Sequence, residues 1–71
     1  MKLTEREKDL LVYVTKFKQV NGYAPTIREI AKGINSNSIN HIKEMLSDLK
    51  KKGYINYKDK SPRTIVVLRS I

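Results

Sequence analysis

Residues 26–53, TIREIAKGINSNSINHIKEMLSDLKKKG, decide how this chain folds. Thr26-Ile27-Arg28-Glu29 has the form of a capping box: the Thr26 hydroxyl can accept from the N–H of Glu29 while the Glu29 carboxylate reaches back. The helix that starts there carries Ile27, Ile30 and Ala31 inward and is closed by Gly33. At about two turns it is too short to persist without packing. Asn35-Ser36-Asn37 is turn chemistry, Ile34 is a core plug within the turn, and Ser38 is a good N-cap for the next helix. In that helix Ile42, Met45, Leu46 and Leu49 recur at i, i+3, i+4 and i+7 and define one apolar face. Lys50, Lys51 and Lys52 sit in its last turn, where cations complement the helix dipole, and Gly53 caps it. Two short helices joined by a tight polar turn are the layout of a helix-turn-helix, whose second helix enters the major groove of DNA.

On the N-terminal side, Thr4-Glu5-Arg6-Glu7 is another capping box. Leu10, Leu11, Val14 and Phe17 follow at helical spacing, which predicts a helix over residues 5–20 that Asn21-Gly22 stops. Tyr23-Ala24-Pro25 is extended, because the residue before proline avoids the α region. On the C-terminal side, residues 54–58 and 64–69 are rich in β-branched and aromatic side chains, and Asp59-Lys60-Ser61-Pro62-Arg63 supplies a turn between them. Two strands alone are not stable, so Ile55, Ile65 and Val67 are expected to face the helices. The expected fold is mainly α with a small β-hairpin: a winged helix-turn-helix of three helices plus a two-stranded antiparallel wing, forming a single domain over residues 1–71.

Composition narrows the function classes. Fifteen Lys and Arg against seven Asp and Glu give a net charge of +8, which favours a polyanionic partner and speeds encounter with it. Charge alone does not separate DNA from RNA, an anionic membrane or an acidic protein. The absence of cysteine excludes disulfides and thiolate metal sites, and His41 is the single histidine, so no metal is expected. No apolar run approaches the ~20 residues needed to span a bilayer, and the polar N-terminus has no signal-peptide core, so a cytoplasmic, membrane-free protein is expected. There is no glycine-rich phosphate loop and no nucleophile with a base and an orienting partner, so neither an enzyme nor a cofactor is expected. Tyr13, Tyr23, Tyr54 and Tyr57 are not clustered as in an RNA-binding sheet, and most of them read as core or core-edge residues.

With one face of the second helix-turn-helix helix turned inward, Ser38, Asn40, His41, Lys43, Glu44 and Ser47 are left for base edges. Asn suits adenine, Lys guanine and Glu cytosine. The bland alternative is an ordinary solvated helix face. Phosphate contacts are expected from Thr26 and Arg28 near the start of the preceding helix, from Asn37 in the turn, and from Lys58, Lys60 and Arg63 at the tip of the wing. Such contacts position a protein without reading sequence. Lys50, Lys51 and Lys52 lie at the far end of their helix from the bases, and a solvated last turn is an equally good reading of them.

Three segments, LTEREKDLLVYV (3–14), GYAPTIREIA (22–31) and LKKKGYI (49–55), resemble the N-terminal DNA-binding domain of LexA-type repressors, the regulators of the bacterial DNA-damage response. The resemblance covers nearly the whole chain. It implies duplex DNA binding with the third helix in the major groove and the wing on phosphate or in the minor groove. It also implies reading positions at Ser38, Asn40, His41, Lys43 and Glu44. Ser38, Asn40 and Glu44 match the family's better-known pattern. His41 and Lys43 depart from it, as does the turn INSNS (34–38), which lacks the usual glycine and aromatic. An operator other than the standard damage-response site is therefore expected. LexA-type repressors also carry a serine–lysine self-cleavage domain that dimerises them and has no counterpart in these 71 residues. That points either to a stand-alone regulator of phage, plasmid or mobile-element type or to a domain of a longer protein, acting as a homodimer on DNA or with a partner protein. The leading expectation is a sequence-specific transcriptional regulator, repressor-like. The alternatives are a winged-helix protein-interaction module and a non-specific DNA accessory protein.

Overall fold

A computed structural model describes residues 2–69. Three helices, α1 (Glu5–Asn21), α2 (Ile27–Gly33) and α3 (Ile39–Lys51), precede two short strands, β1 (Ile55–Asn56) and β2 (Val66–Val67). The strands pair antiparallel with Ile55 opposite Val67 and Asn56 opposite Val66. This is the winged helix-turn-helix arrangement expected from the sequence.

Both capping boxes form. Glu7 N–H donates to Thr4 Oγ1 at 3.1 Å and Thr4 N–H donates to Glu7 Oε1 at 2.9 Å. At α2 the same pair of bonds links Thr26 and Glu29 at 2.8 and 3.2 Å. Ser38 caps α3, its hydroxyl accepting from His41 N–H at 3.1 Å. The apolar faces that these caps orient meet in one core. Leu10, Leu11 and Val14 of α1, Ile30 and Ala31 of α2, and Ile42, Met45, Leu46 and Leu49 of α3 are buried with Ile34, Ile55 and Ile65. Val67 packs against that core only partly buried.

Gly33 does not close α2 in the way its sequence position predicts. It is the last helical residue, and Ile34 is the C-cap. The left-handed residue that ends the helix is Asn35, at φ 58°. Ser36 N–H donates to Ala31 O at 2.8 Å and Asn35 N–H to Lys32 O at 3.3 Å, the two bonds of a Schellman motif. Asn is the non-glycine residue best suited to this conformation. Gly33 has a different task. A Cβ there would collide with the Tyr13 ring, so the glycine lets α1 lie close against α2. At the end of α3, Gly53 adopts φ 82° with Tyr54 N–H donating to Leu49 O at 3.0 Å, a second Schellman ending.

The strands are shorter than residues 54–58 and 64–69. Side chains compete with the ladder on both sides. Asn56 Oδ1 accepts from Tyr57 N–H at 2.9 Å, and Thr64 Oγ1 accepts from Lys58 N–H at 3.0 Å. Lys60 and Arg63 are left-handed, at φ 61° and 59°, so the wing tip is a compact loop rather than an extended hairpin. Cationic side chains fasten it to the helices. Lys18 Nζ donates to Ile65 O at 3.2 Å, and Lys50 Nζ donates to Tyr57 O at 3.1 Å while lying 4.7 Å from the centre of the Tyr57 ring. Burial, helped by the nearby Asp59, pushes the Tyr57 hydroxyl above its usual pKa.

Candidate nucleic-acid interface

Once Ile42, Met45, Leu46 and Leu49 turn inward, Asn40, Lys43, Glu44 and Ser47 must share the opposite side of α3, because they repeat the same i, i+3, i+4, i+7 spacing. Asn40, Lys43 and Glu44 are exposed and Ser47 is half-buried. His41 and Ser38 are exposed in the first turn and its cap. Ser38 has its acceptor engaged by His41 N–H and keeps its hydroxyl proton free to donate. Asn37 is exposed in the turn just before the cap. Ile39, which the sequence pattern does not single out, is 38% exposed beside Asn40. An apolar side chain there suits a thymine methyl group. Its clue was its absence from the i, i+3, i+4, i+7 set that fills the core.

A cleft of about 640 Å³ runs between the start of α2, the middle of α3 and the wing. Its walls include Thr26, Arg28, Lys43, Lys58, Lys60 and Arg63, so it gathers most of the expected phosphate contacts and one expected base reader. Its floor is apolar, from Pro25, Ile27, Leu46, Tyr57 and Ile65. Asn37, Ser38, Asn40, His41, Glu44 and Ser47 lie outside its lining, on the helix-turn-helix beside it. A basic channel flanking an exposed polar helix face offers phosphate binding and base reading side by side.

The candidates differ in how free they are. Among the described residues, the side chains of Arg28, Lys43, Lys58 and Lys60 have no hydrogen-bond or ion-pair partner within the protein. Arg63 is engaged. It donates to both carboxylate oxygens of Glu29, at 3.0 and 3.3 Å, and to Ala24 O at 3.1 Å, with its guanidinium 4.6 Å from the Tyr23 ring centre. The Thr26 N–H bond lowers the Glu29 pKa against partial desolvation, and Arg63 lowers it further. The lysine run at the end of α3 is also divided. Lys50 holds the wing, Lys51 is exposed, and Lys52 donates to Glu7 Oε1 at 2.8 Å and to Lys2 O at 3.1 Å. Lys52 and Glu7 are only 17% and 3% exposed, so this pair is a buried tie between α1 and α3. Tyr23, at 48% exposed, stands outside the core that holds the other tyrosines at its edge.

Among the described residues there is no group of three His, Cys, Asp or Glu placed to hold a metal ion, and no helix is long and apolar enough to cross a membrane.

The sequence has clear parallels among known proteins. A family model for the LexA DNA binding domain matches residues 1–64. The LexA repressor of Myxococcus xanthus (strain DK1622) is 34% identical over 67 residues, which cover 94% of this chain and 30% of that protein. The LexA repressor of Thermotoga petrophila is 38% identical over 69 residues, covering 97% of this chain and 34% of that protein. For the LexA repressor of Bacillus mycoides (strain KBAB4) the identity is 37% over 67 residues, covering 94% and 33%. The chain thus spans about a third of the length of the curated relatives it matches.

Proposed function

The chain belongs to the LexA DNA-binding domain family, and from that membership we propose that it is a sequence-specific binder of double-stranded DNA acting as a repressor-like transcriptional regulator in the bacterial or phage-infected cytoplasm. The observation that carries this reading is the juxtaposition of an exposed polar stripe on α3 with a cleft lined by four unpaired cations. In the proposed complex, α3 lies in the major groove with Asn40, His41, Lys43 and Glu44 toward base edges and Ser38 and Ser47 at the margins of that face. Thr26, Arg28, Asn37, Lys58 and Lys60 grip phosphates on either side, and Lys43 can serve either role. The domain binds DNA and catalyses nothing. The departures at His41 and Lys43 from the family's usual pattern favour an operator of its own.

We further propose that two copies act together. The described residues measure 29 × 25 × 21 Å, less than the ~34–36 Å between successive major grooves on one face of DNA. Two copies can therefore be placed on adjacent half-sites with a shorter axis along the DNA.

The test is selection of bound duplexes from a random pool, followed by anisotropy of the enriched pool over a salt series. An enriched motif is expected, and a palindromic one with half-sites about 10 base pairs apart would support the paired arrangement. Salt-sensitive binding with no motif would replace sequence reading by an accessory role. No binding at low salt would sink the DNA reading in favour of a protein-docking module.

A further inference from the structure

Arg63 sits on the lip of the basic cleft, where a guanidinium invites assignment as a phosphate contact. We infer, building on the DNA-binding reading above, that it is instead a positioning residue. With Glu29 and Tyr23 it forms a clamp that fixes the wing against α2 and thereby sets the width of the cleft between the wing and α3.

The guanidinium is engaged on one edge and by one ring inside the protein, although the side chain is still 40% exposed. Its N–H fork meets both Glu29 oxygens, at 3.0 and 3.3 Å, and its central carbon Cζ lies 4.6 Å from the Tyr23 ring centre. These are the two geometries for which arginine is suited and lysine is not. A third bond, to Ala24 O at 3.1 Å, ties the same group to the segment leading into α2. The clamp is itself backed. Tyr23 packs edge-on to Phe17 at 5.8 Å, and Phe17 packs on Tyr13 at 5.9 Å, whose ring rests on Gly33 of α2. The Arg63 backbone is left-handed at φ 59°, a conformation disfavoured for any residue with a Cβ and retained where the surroundings over-determine it. Two residues per strand are too few for the ladder alone to aim the wing. Side-chain ties must contribute: Lys50 fastens Tyr57 to α3, and the Arg63 clamp is the tie that fastens the wing tip to α2. Glu29 thus serves twice, closing the capping box of α2 and acting as counter-ion to Arg63.

Glu29→Gln separates the two roles. Glutamine still completes a capping box, so the start of α2 is kept. On charge alone, the substitution removes an anion from the DNA-facing side and frees Arg63 for phosphate, and binding should tighten. The clamp requires the opposite: binding of the selected duplex weakened by about threefold to fivefold, the scale of one partly exposed ion pair. Arg63→Lys, which keeps the charge but loses the fork and the stacking, should weaken binding to the same extent. Lys60→Gln should cost less in the Glu29→Gln background than in the wild type, because a released wing no longer aims Lys60 at the backbone. Melting curves confirm folding, and if Glu29→Gln does not fold, Arg63→Lys decides. Tighter or unchanged binding by Glu29→Gln, wild-type affinity in Arg63→Lys, or strictly additive effects with Lys60→Gln would each overturn the clamp while leaving DNA binding intact. Failure of the wild type to bind any duplex would overturn both readings.

Discussion

Asn40, in the first turn of α3, and Lys60, on the wall of the cleft, are asked to do different work. Asn40 presents an amide near the start of α3, able to pair with one base. Lys60 presents a mobile charge at the wing tip. Asn40→Ala should cost about 1–3 kcal/mol on the preferred duplex and relax preference at a single position, whereas Lys60→Ala should weaken all duplexes alike and shallow the salt slope by about one. Competition binding against single-base variants of the selected site distinguishes them, and identical behaviour would remove Asn40 from the reading set. Glu7 matters for stability instead. Burial drives its pKa up, but the Lys52 ammonium and the Thr4 bonds outweigh burial and the net shift is downward. A carboxyl held below its ordinary value of 4.5 contributes stability that is fully present above that value and lost as pH falls through the folded pKa. Glu7→Gln leaves Lys52 without its buried counter-charge, so we expect a loss of about 1–3 kcal/mol at neutral pH. The fall in melting temperature below pH 4.5 should be correspondingly shallower in the variant. A variant as stable as the wild type at pH 7, with the same acid limb, would show that the pair contributes nothing.

Gly53 and Gly33 both lie near helix ends, yet substitution should hurt them for different reasons. Gly53 is left-handed with open space where a Cβ would go, so Gly53→Ala should cost about 1–2 kcal/mol through backbone conformation alone. Gly33 has an ordinary helical backbone, where alanine would normally gain about 1 kcal/mol in propensity. It should nevertheless destabilise, because the Tyr13 ring fills the place of the new methyl and is held there by Phe17. Tyr13→Ala should rescue Gly33→Ala but not Gly53→Ala, a contrast readable by urea denaturation. The helices were legible in the sequence because their signals are local. Capping boxes act over three residues, apolar stripes over seven, and the faces they define closed into a core containing Ile42, Met45, Leu46 and Leu49. Gly33 was misjudged because glycine punctuation looks alike whether it serves a left-handed φ or a close contact, and the contact comes from α1. The wing was over-extended for a related reason. Its β-rich composition was correctly read, but Asn56 and Thr64 divert backbone groups that propensity assigns to a ladder. The α3 stripe followed from the burial of its opposite side. The pairing of Arg63 with Glu29, 34 residues away, left no trace in local pattern.

At the scale of the whole molecule, the +8 charge overstates what is offered to DNA. Lys18, Lys50, Lys52 and Arg63 are spent on internal bonds, and Arg69 lies 5.0 Å from the Tyr54 ring centre. Arg28, Lys43, Lys58 and Lys60 remain around the cleft. Four phosphate contacts give a slope of log affinity against log salt of about −3 to −4 per copy. Anisotropy from low to moderate salt measures it directly, and a slope steeper than about −6 per copy would mean that cations beyond the cleft are engaged. The same fasteners have a consequence for how order would be observed. With two residues in each strand, few wing amides are locked in a ladder, yet Lys18, Lys50 and Arg63 grip its carbonyls and its lip from outside. Amide hydrogens of the wing should therefore exchange with deuterated solvent faster than those of α1 and α3, with the bonded ones, such as those of Tyr57, Lys58 and Leu68, the slowest within the wing. An exchange map would understate how firmly the wing stands in place, because the lysine and arginine bonds that hold it end on carbonyls and carboxylates, which exchange does not report.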